Sequence, residues 1–355
     1  MNFDLTDDQR AIQRTAKEFL AARYKAEEVR RLALEDDRGF TDEQWAQIAE
    51  LGWPALVVPE QDGGLGLGVV ELAVVQEQMG YALAPSPLLS SIAAGLLIAA
   101  AGDGEQRAQW LGALASGEKR GALATIDGGE NPLEPTGGSL TGTKIAVPDA
   151  GGADVLVVAA SEGRHYLVEA GGPGVTIEPA QALDPSRKLF TLHLENAEGH
   201  QLAGADAGAV ARAYDVIAVA VAAESVGVAQ RAMETAVEYA KDRKQFGRPI
   251  GAYQAVSHTC AQMLLETEGA RSTVLYAAWA LDHEPSSGAL AAAMAKAYAG
   301  DAGWRVPAAA LQVHGGIGFT WEHDLHLWLK RGRANRSLYG SSRFHRERVA
   351  DLAGV

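Results

Sequence analysis

Glu224–His258 reads ESVGVAQRAMETAVEYAKDRKQFGRPIGAYQAVSH. The stretch opens inside an apolar helical run and continues without Pro or Gly from Val228 to Phe246. Gly247 and Pro249 come next, residue types expected just past a helix end. The pattern therefore predicts one helix stopping at Gly247 and a second beginning soon after. Lys241, Arg243 and Lys244 gather in the expected last turn, where the negative end of the helix dipole favours cations. Taken alone, the cluster is accounted for by a solvated helix cap.

The string Tyr239–Gly247, YAKDRKQFG, followed by Gln254, resembles the signature of the acyl-CoA dehydrogenase family. There an Arg, a Phe and a Gln hold the pyrophosphate and adenosine half of FAD. The resemblance assigns those roles to Arg243, Phe246 and Gln254. The chemistry suits them, since a guanidinium pairs bidentately with phosphate oxygens. Gln312–Gly316, QVHGG, continuing IGFTWEHD, is similar to the family's QxxGGxGF turn, whose backbone approaches the same pyrophosphate. Gln312, Gly315 and Gly316 are the matching residues, and Gly suits a backbone that a ligand must approach closely.

Length and composition agree with a soluble protein of two or three domains. The 355 residues are 47% apolar and only 6% aromatic, and Ala-rich runs suit closely packed helices. With 31 basic against 45 acidic residues the net charge is -14, a poor balance for binding nucleic acid or anionic lipid. One cysteine, Cys260, excludes an internal disulfide and fits a reducing cytoplasm. Met1 leads straight into a polar helix, so no secretory leader is expected, and the apolar run Ile92–Ala101 is too short to span a bilayer.

Taken in order, residues 1–40 read as helix, opened by a Thr6/Gln9 capping box and lined by Ile12, Ala16, Phe19 and Leu20. Asp42–Leu51 is a second helix capped near Thr41. The Gly-rich Leu51–Gly68 lacks the strand–helix context and GK[ST] of a P-loop. It is similar to the family's PEEYGGLG loop, which shapes the acyl-chain end of the pocket. Helices over Val69–Gly80, Pro87–Ala101 and Glu105–Ser116 close an N-terminal helical domain, 1–116. Short Val/Leu/Thr runs follow at Gly121–Ile126, Ser139–Val147, Asp154–Ala160, His165–Ala170, Gly174–Glu178 and Lys188–Glu195. Their alternation between Gly, Pro and Asp predicts an antiparallel β domain, 117–203. The remainder, 204–355, is helical. The expected class is α+β, and the resemblance implies the acyl-CoA dehydrogenase fold, with a four-helix bundle last.

The family's reaction needs a flavin ring, a polarised thioester carbonyl and a Glu base that removes the α proton. The flavin-side motifs are degraded here. One aligns with Ala122–Gly129, ALATIDGG, which keeps Thr125 but loses a Glu and a Gly-Ser; the other aligns with Lys144–Ala150, KIAVPDA, without its Trp. The base is missing from both family positions. Gly340, in Leu338–Ser342, stands where one Glu falls, and Ile217 and Ala218 stand at the other. Glu224 lies seven residues beyond Ile217 on nearly the same helical face, about 10 Å along the axis. It is a weak candidate base, and a structural hydrogen bond to a neighbouring helix is the favoured role. His323 and His326, with Glu322 and Asp324, lack a metal-site spacing, so no metal is expected. The arginines at 331, 333, 336, 343, 346 and 348 read as an exposed face or as interchain pairs.

The resemblance thus implies an FAD-dependent acyl-CoA dehydrogenase acting on an acyl-CoA thioester in the cytoplasm, with an electron-transfer flavoprotein or similar acceptor. Since only the ADP-side residues are kept, the chain is similar to the supporting subunit of the heteromeric (α2β2) actinobacterial acyl-CoA dehydrogenases of steroid side-chain breakdown. Such a subunit completes the FAD site of a second, catalytic chain. The alternatives are a homo-oligomeric dehydrogenase with a non-standard base, and a flavin-free acyl-CoA-binding or scaffold protein.

Overall fold

The computed structural model describes residues 4–129, 132–204 and 206–355. Met1, on which the expectation of no leader rests, lies outside them. Helices α1 (Asp7–Arg23), α2 (Ala26–Glu35), α3 (Asp42–Glu50), α4 (Val69–Ala82), α5 (Leu88–Ala101) and α6 (Gly104–Ala115) come first. Strands β1 (Gly121–Ala124), β2 (Ile126–Asp127), β3 (Glu134–Thr136), β4 (Ser139–Pro148), β5 (Val155–Ala159), β6 (His165–Glu169), β7 (Val175–Ala180), β8 (Leu189–Glu198) and β9 (His200–Gln201) follow. Then come α7 (Ala207–Asp242), the two-residue strands β10 (Lys244–Gln245) and β11 (Arg248–Pro249), α8 (Gln254–His283), α9 (Pro285–His314), α10 (Leu325–Asn335) and α11 (Ser342–Ala353).

By contact the chain forms two compact units, one of Met1–Arg30, Val69–Ala84 and Asp215–Val355, the other of Arg31–Gly68 and Pro85–Tyr214. In the second unit the strands form two sheets, ordered β1-β5-β6-β9 and β2-β4-β8-β7, with β3 on β4. The pairing is antiparallel except between β1 and β5, which run parallel from Gly121 opposite Val155 to Ala124 opposite Val158. That pair corrects the all-antiparallel expectation, and its physical mark is visible. β1 is buried along its whole length, as a parallel strand covered on both faces must be. On β8 the buried residues alternate, Phe190, Leu192 and Leu194 turning into the core with Ala122, Leu140, Leu156 and Val158.

The first unit is all helix, apart from the small β10–β11 hairpin. The single helix expected over residues 1–40 is broken, because Tyr24 leaves helical geometry (φ -110°, ψ 60°) and sinks into the core. The capping boxes at Thr6 and Thr41 are both formed. α7 is long and apolar enough to cross a membrane by composition, yet 89% of its most apolar window is buried inside the protein. Its neighbours approach very closely. A Cβ on Gly227 would lie 1.9 Å from the Glu77 carbonyl oxygen of α4, and one on Gly80 would lie 2.0 Å from the Glu224 carbonyl oxygen. Only glycine allows backbones to cross at that separation. The Ala-rich faces of α7 and α9 close the core around Ala229, Ala232, Ala236, Val306 and Ala310.

Candidate functional site

α7 ends at Asp242, short of the expected stop at Gly247. The chain instead makes a two-residue hairpin, Lys244 opposite Pro249 and Gln245 opposite Arg248. Phe246 (φ 51°) and Gly247 (φ 81°) at its tip are both left-handed, the geometry of a type I′ turn. Gly247 takes this conformation freely, whereas for an aromatic residue it costs on the order of 1–2 kcal/mol. The Phe246 ring is nonetheless 93% exposed. Behind the tip, Tyr253 braces the hairpin. Its hydroxyl donates to the Gln245 carbonyl at 3.2 Å, its ring meets Phe246 edge-on at 6.5 Å, and the Arg248 guanidinium lies 4.1 Å over it.

This bracing leaves Arg243, Phe246 and Gln254 on the outside, all exposed. Among the described residues no side chain pairs with the guanidinium of Arg243 or the amides of Gln254 and Gln312. One turn before Arg243, Tyr239 stacks on His314 at 4.4 Å and 22°. That stack brings the turn after α9 to the same end of the unit as the hairpin. His314 is pulled below the usual imidazole range by burial, and its Nδ1 donates to the Ala310 carbonyl at 2.8 Å. The turn needs Gly315 for its φ of +65°, but at Gly316 a Cβ would meet nothing within 4 Å. Internal packing gives no reason for that second glycine, whereas a ligand lying on the backbone would. An unpaired guanidinium, two free amides, a presented aromatic ring and an uncovered glycine backbone fit the pyrophosphate and adenosine half of FAD.

The positions where the family keeps its base are closed. Gly340 has φ +105°, and a Cβ there would lie 2.6 Å from His345 Nε2 and 2.8 Å from Phe344 Cδ1. Its carbonyl accepts from the buried Lys296 Nζ at 3.0 Å, and Asn335 O accepts from the same ammonium at 2.9 Å. Burial pulls Lys296 down to about 7, against the pull of Asp301. Ile217 and Ala218 are each 1% exposed in the apolar core. Glu224 is buried too, and Arg331 Nη1 on α10 donates to its Oε1 at 2.5 Å. Sequence reading missed this pair because it placed Arg331 on an exposed face or in an interchain pair; the signal was the arginine's position within an apolar helical stripe with Leu325, Leu327 and Trp328.

Of the other late arginines, Arg336 and Arg348 also depart from an exposed face, and these two and Arg346 find carboxylates within this chain. Arg336 donates to Asp301 at 2.7 Å, Arg346 pairs with the same carboxylate, and Arg348 grips Asp215 with both Nη atoms. Arg333, Arg343 and Arg346 lie exposed as expected, Arg343 paired with Glu347 one turn on and the Arg333 guanidinium stacked over Trp304. The histidines at 323 and 326 are engaged in ring contacts with His314 and Trp321. Among the described residues no three His, Cys, Asp or Glu are grouped to hold a metal ion.

In the other unit, the stretch aligned with the flavin-side motifs is tied to itself. Lys144, 1% exposed, donates to Asp127 Oδ1 at 2.6 Å, and the Leu133 N–H reaches the same oxygen at 3.0 Å. Burial works against the Asp127 carboxylate, but these two bonds and the Lys144 charge hold it below the usual range. Thr125 is half-buried beside them. The Gly-rich stretch before α4 is likewise closed on itself. A Cβ on Gly64 would lie 2.0 Å from Val58 O, and Gly66 N donates to that carbonyl at 2.9 Å.

Against known proteins, residues 6–118 match the model of the acyl-CoA dehydrogenase N-terminal domain, and residues 208–353 that of the acyl-CoA dehydrogenase C-terminal domain. The acyl-CoA dehydrogenase IpdE2 of Mycobacterium tuberculosis is 35% identical over 337 residues, covering 95% of this chain and 94% of its own. A chain of the ChsE4-ChsE5 complex from Mycobacterium tuberculosis superposes with a TM-score of 0.90 at 28% identity, covering 100% of this chain and 99% of that one. The Tcur3481-Tcur3483 steroid ACAD gives 0.89 at 29% identity, with 98% of each chain covered.

Proposed function

This chain belongs to the acyl-CoA dehydrogenase family, FAD-dependent oxidoreductases acting on CH–CH donors, and from that premise we propose that it serves as the supporting subunit of a heteromeric enzyme. It completes the FAD site of a second chain of the same family, which carries the base. The observation behind this reading is the contrast within one unit. The ADP-side residues stand exposed and unpaired, while each family base position is apolar or closed and the one nearby carboxylate is locked to Arg331. Two of the similar solved structures carry paired chain names, ChsE4-ChsE5 and Tcur3481-Tcur3483. By analogy we assign a partner subunit here and a steroid-derived acyl-CoA as substrate, with the cytoplasm as its place. The division into 1–116, 117–203 and 204–355 belongs to the same proposal.

When bound, FAD supplies the hydride acceptor for dehydrogenation at the α and β carbons. This chain's own work is to hold the cofactor. Arg243 neutralises a phosphate with two parallel N–H donors. Phe246, fixed at the hairpin tip by Tyr253, covers one face of the site. Gln254 and Gln312 supply directional amide bonds, and Gly315–Gly316 let phosphate oxygens approach main-chain N–H groups. No residue at Ile217, Ala218 or Gly340 can accept a proton, so the α proton goes to a carboxylate of the partner.

The test is the flavin content and dehydrogenase activity of the chain purified alone and copurified with the product of a neighbouring gene. The expected result is little FAD and no turnover alone, and both in the complex. A yellow, fully active preparation of this chain by itself, with one FAD per chain, would overturn the assignment in favour of a self-sufficient homo-oligomer. A flavin-free complex binding acyl-CoA would favour a scaffold role.

A further inference from the structure

Away from the hairpin, α1, the start of α2, the end of α4, α7 and α10 enclose a cavity of about 420 Å³. That lies in the range of small-molecule pockets, about 300–1,000 Å³. Its floor and its rim differ sharply in chemistry. Leu20, Tyr24, Gln78 and Trp328 are nine-tenths or more buried and form the floor. Lys17, Lys25 and Arg231 are exposed and stand at the rim. No Asp or Glu is among the lining residues, although the chain as a whole carries a net charge of -14. Three cations with no carboxylate among the lining residues favour an anion at the rim, with Glu28 and Glu234 standing just outside the lining.

The wall is held in place. Trp328 Nε1 donates to the Tyr81 carbonyl at 3.1 Å, and the Tyr81 hydroxyl donates to Glu234 at 2.6 Å. The Arg231 guanidinium lies 5.4 Å from the Tyr81 ring centroid and 6.0 Å from that of Trp328, with Nη1 donating to the Tyr81 hydroxyl at 3.3 Å. The rings orient it and leave its other donors open. The side-chain ammonium groups of Lys17 and Lys25 have no ion-pair or hydrogen-bond partner among the described residues.

Gln78 gives the second, independent sign. It is 8% exposed, yet its amide bonds to no group among the described residues, and neither amide atom counts among those fully buried without a partner. The accessible remainder of this residue is therefore its amide, and the cavity is what it faces. The Gln78 amide thus offers a donor and an acceptor to whatever fills the cavity. The neighbouring Tyr24 hydroxyl is also buried without a partner.

We propose that this cavity binds a small amphipathic carboxylate: the apolar body lies against Leu20, Tyr24 and Trp328, the Gln78 amide bonds it, and the head is held by Lys17, Lys25 and Arg231. None of these residues belongs to the FAD-side surface, so the site is separate from the one that handles cofactor. Its occupant is a free organic acid or a regulator of that chemistry.

The experiment is calorimetric titration of the purified protein, in whatever assembly it adopts, with 4-phenylbutyrate and with neutral 4-phenylbutan-1-ol. Lys17→Gln/Lys25→Gln changes only exposed side chains and preserves folding, and Ala82→Trp fills the cavity. The expected result is one carboxylate per chain, bound at least tenfold more tightly than the alcohol. The double lysine variant should bind the acid at least tenfold more weakly with FAD content unchanged, and Ala82→Trp should abolish binding. Equal affinity for acid and alcohol, undiminished binding by the lysine variant, or no binding at millimolar acid would each overturn the proposal.

Discussion

Glu224→Gln separates a structural carboxylate from a catalytic one. The side chain is 2% exposed and receives Arg331 at 2.5 Å, with Arg331 equally buried. Gln keeps the shape and one acceptor oxygen but removes the charge, leaving a guanidinium in the core without its counter-ion. Breaking one side of a buried pair costs about 3–5 kcal/mol, because the survivor's desolvation is no longer offset. Replacing both partners by apolar residues of similar size is often close to neutral. Urea unfolding of the wild type, Glu224→Gln, Arg331→Met and the Glu224→Leu/Arg331→Met double variant measures the coupling directly. The single variants should lose about 3–5 kcal/mol each, and the double variant should recover most of it. In the assembled enzyme at a temperature where Glu224→Gln remains folded, turnover should change less than tenfold. A variant of unchanged stability whose turnover falls by several orders of magnitude, with flavin retained, would refute this and make Glu224 the base.

At the hairpin, Arg243→Ala removes a charge-assisted bond of roughly 1.5–3 kcal/mol, so FAD affinity of the complex should drop about ten- to hundredfold while assembly persists. Arg243→Lys should restore only part of it, and flavin occupancy of the copurified complexes reads both. Gly340→Glu, which supplies the residue type the family uses, should not create activity in the isolated chain. The φ of +105° and the contact with His345 make it cost roughly 2–4 kcal/mol, seen as a lower urea midpoint. Burial, ahead of the charges of Lys296 and Arg348 and against a bond to the Tyr339 carbonyl, pulls His345 from 6.5 to about 4. The unfolded chain therefore binds a proton near pH 6.5 that the folded chain refuses until about pH 4. Stability is unaffected above pH 6.5 and falls by up to about 3 kcal/mol as the pH drops through that window. In His345→Gln the difference between urea midpoints at pH 7 and pH 4.5 should shrink by the corresponding amount.

The sequence by itself determined the order of elements and the family. Helix capping at Thr6 and Thr41 is local chemistry, a side-chain oxygen meeting an N–H three residues on, so it was legible from spacing. The strand runs were legible because side chains alternate across a pleat, as Phe190, Leu192 and Leu194 do. The motif around Arg243 could be read because it is contiguous. Its shape could not: Gly247 after a basic run serves equally as a helix stop or as the second residue of a type I′ turn. The hydrogen-bonded hairpin and its brace by Tyr253 chose between them.

Tertiary structure alone decided everything that depends on residues far apart in the chain. Glu224 and Arg331 are separated by 107 positions, and nothing local marks either as the other's partner. The parallel pairing of β1 with β5 depends on a crossover through three intervening strands, which no local pattern encodes. Gly340 in the sequence is only a lost glutamate. In the fold it is a backbone pinned by Lys296 and crowded by His345, a position where no acid fits. The cavity beneath Lys17 and Lys25 was invisible for the same reason. Its lining comes from five helices and the link between α1 and α2, and the space that the Gln78 amide faces exists only once they are packed together.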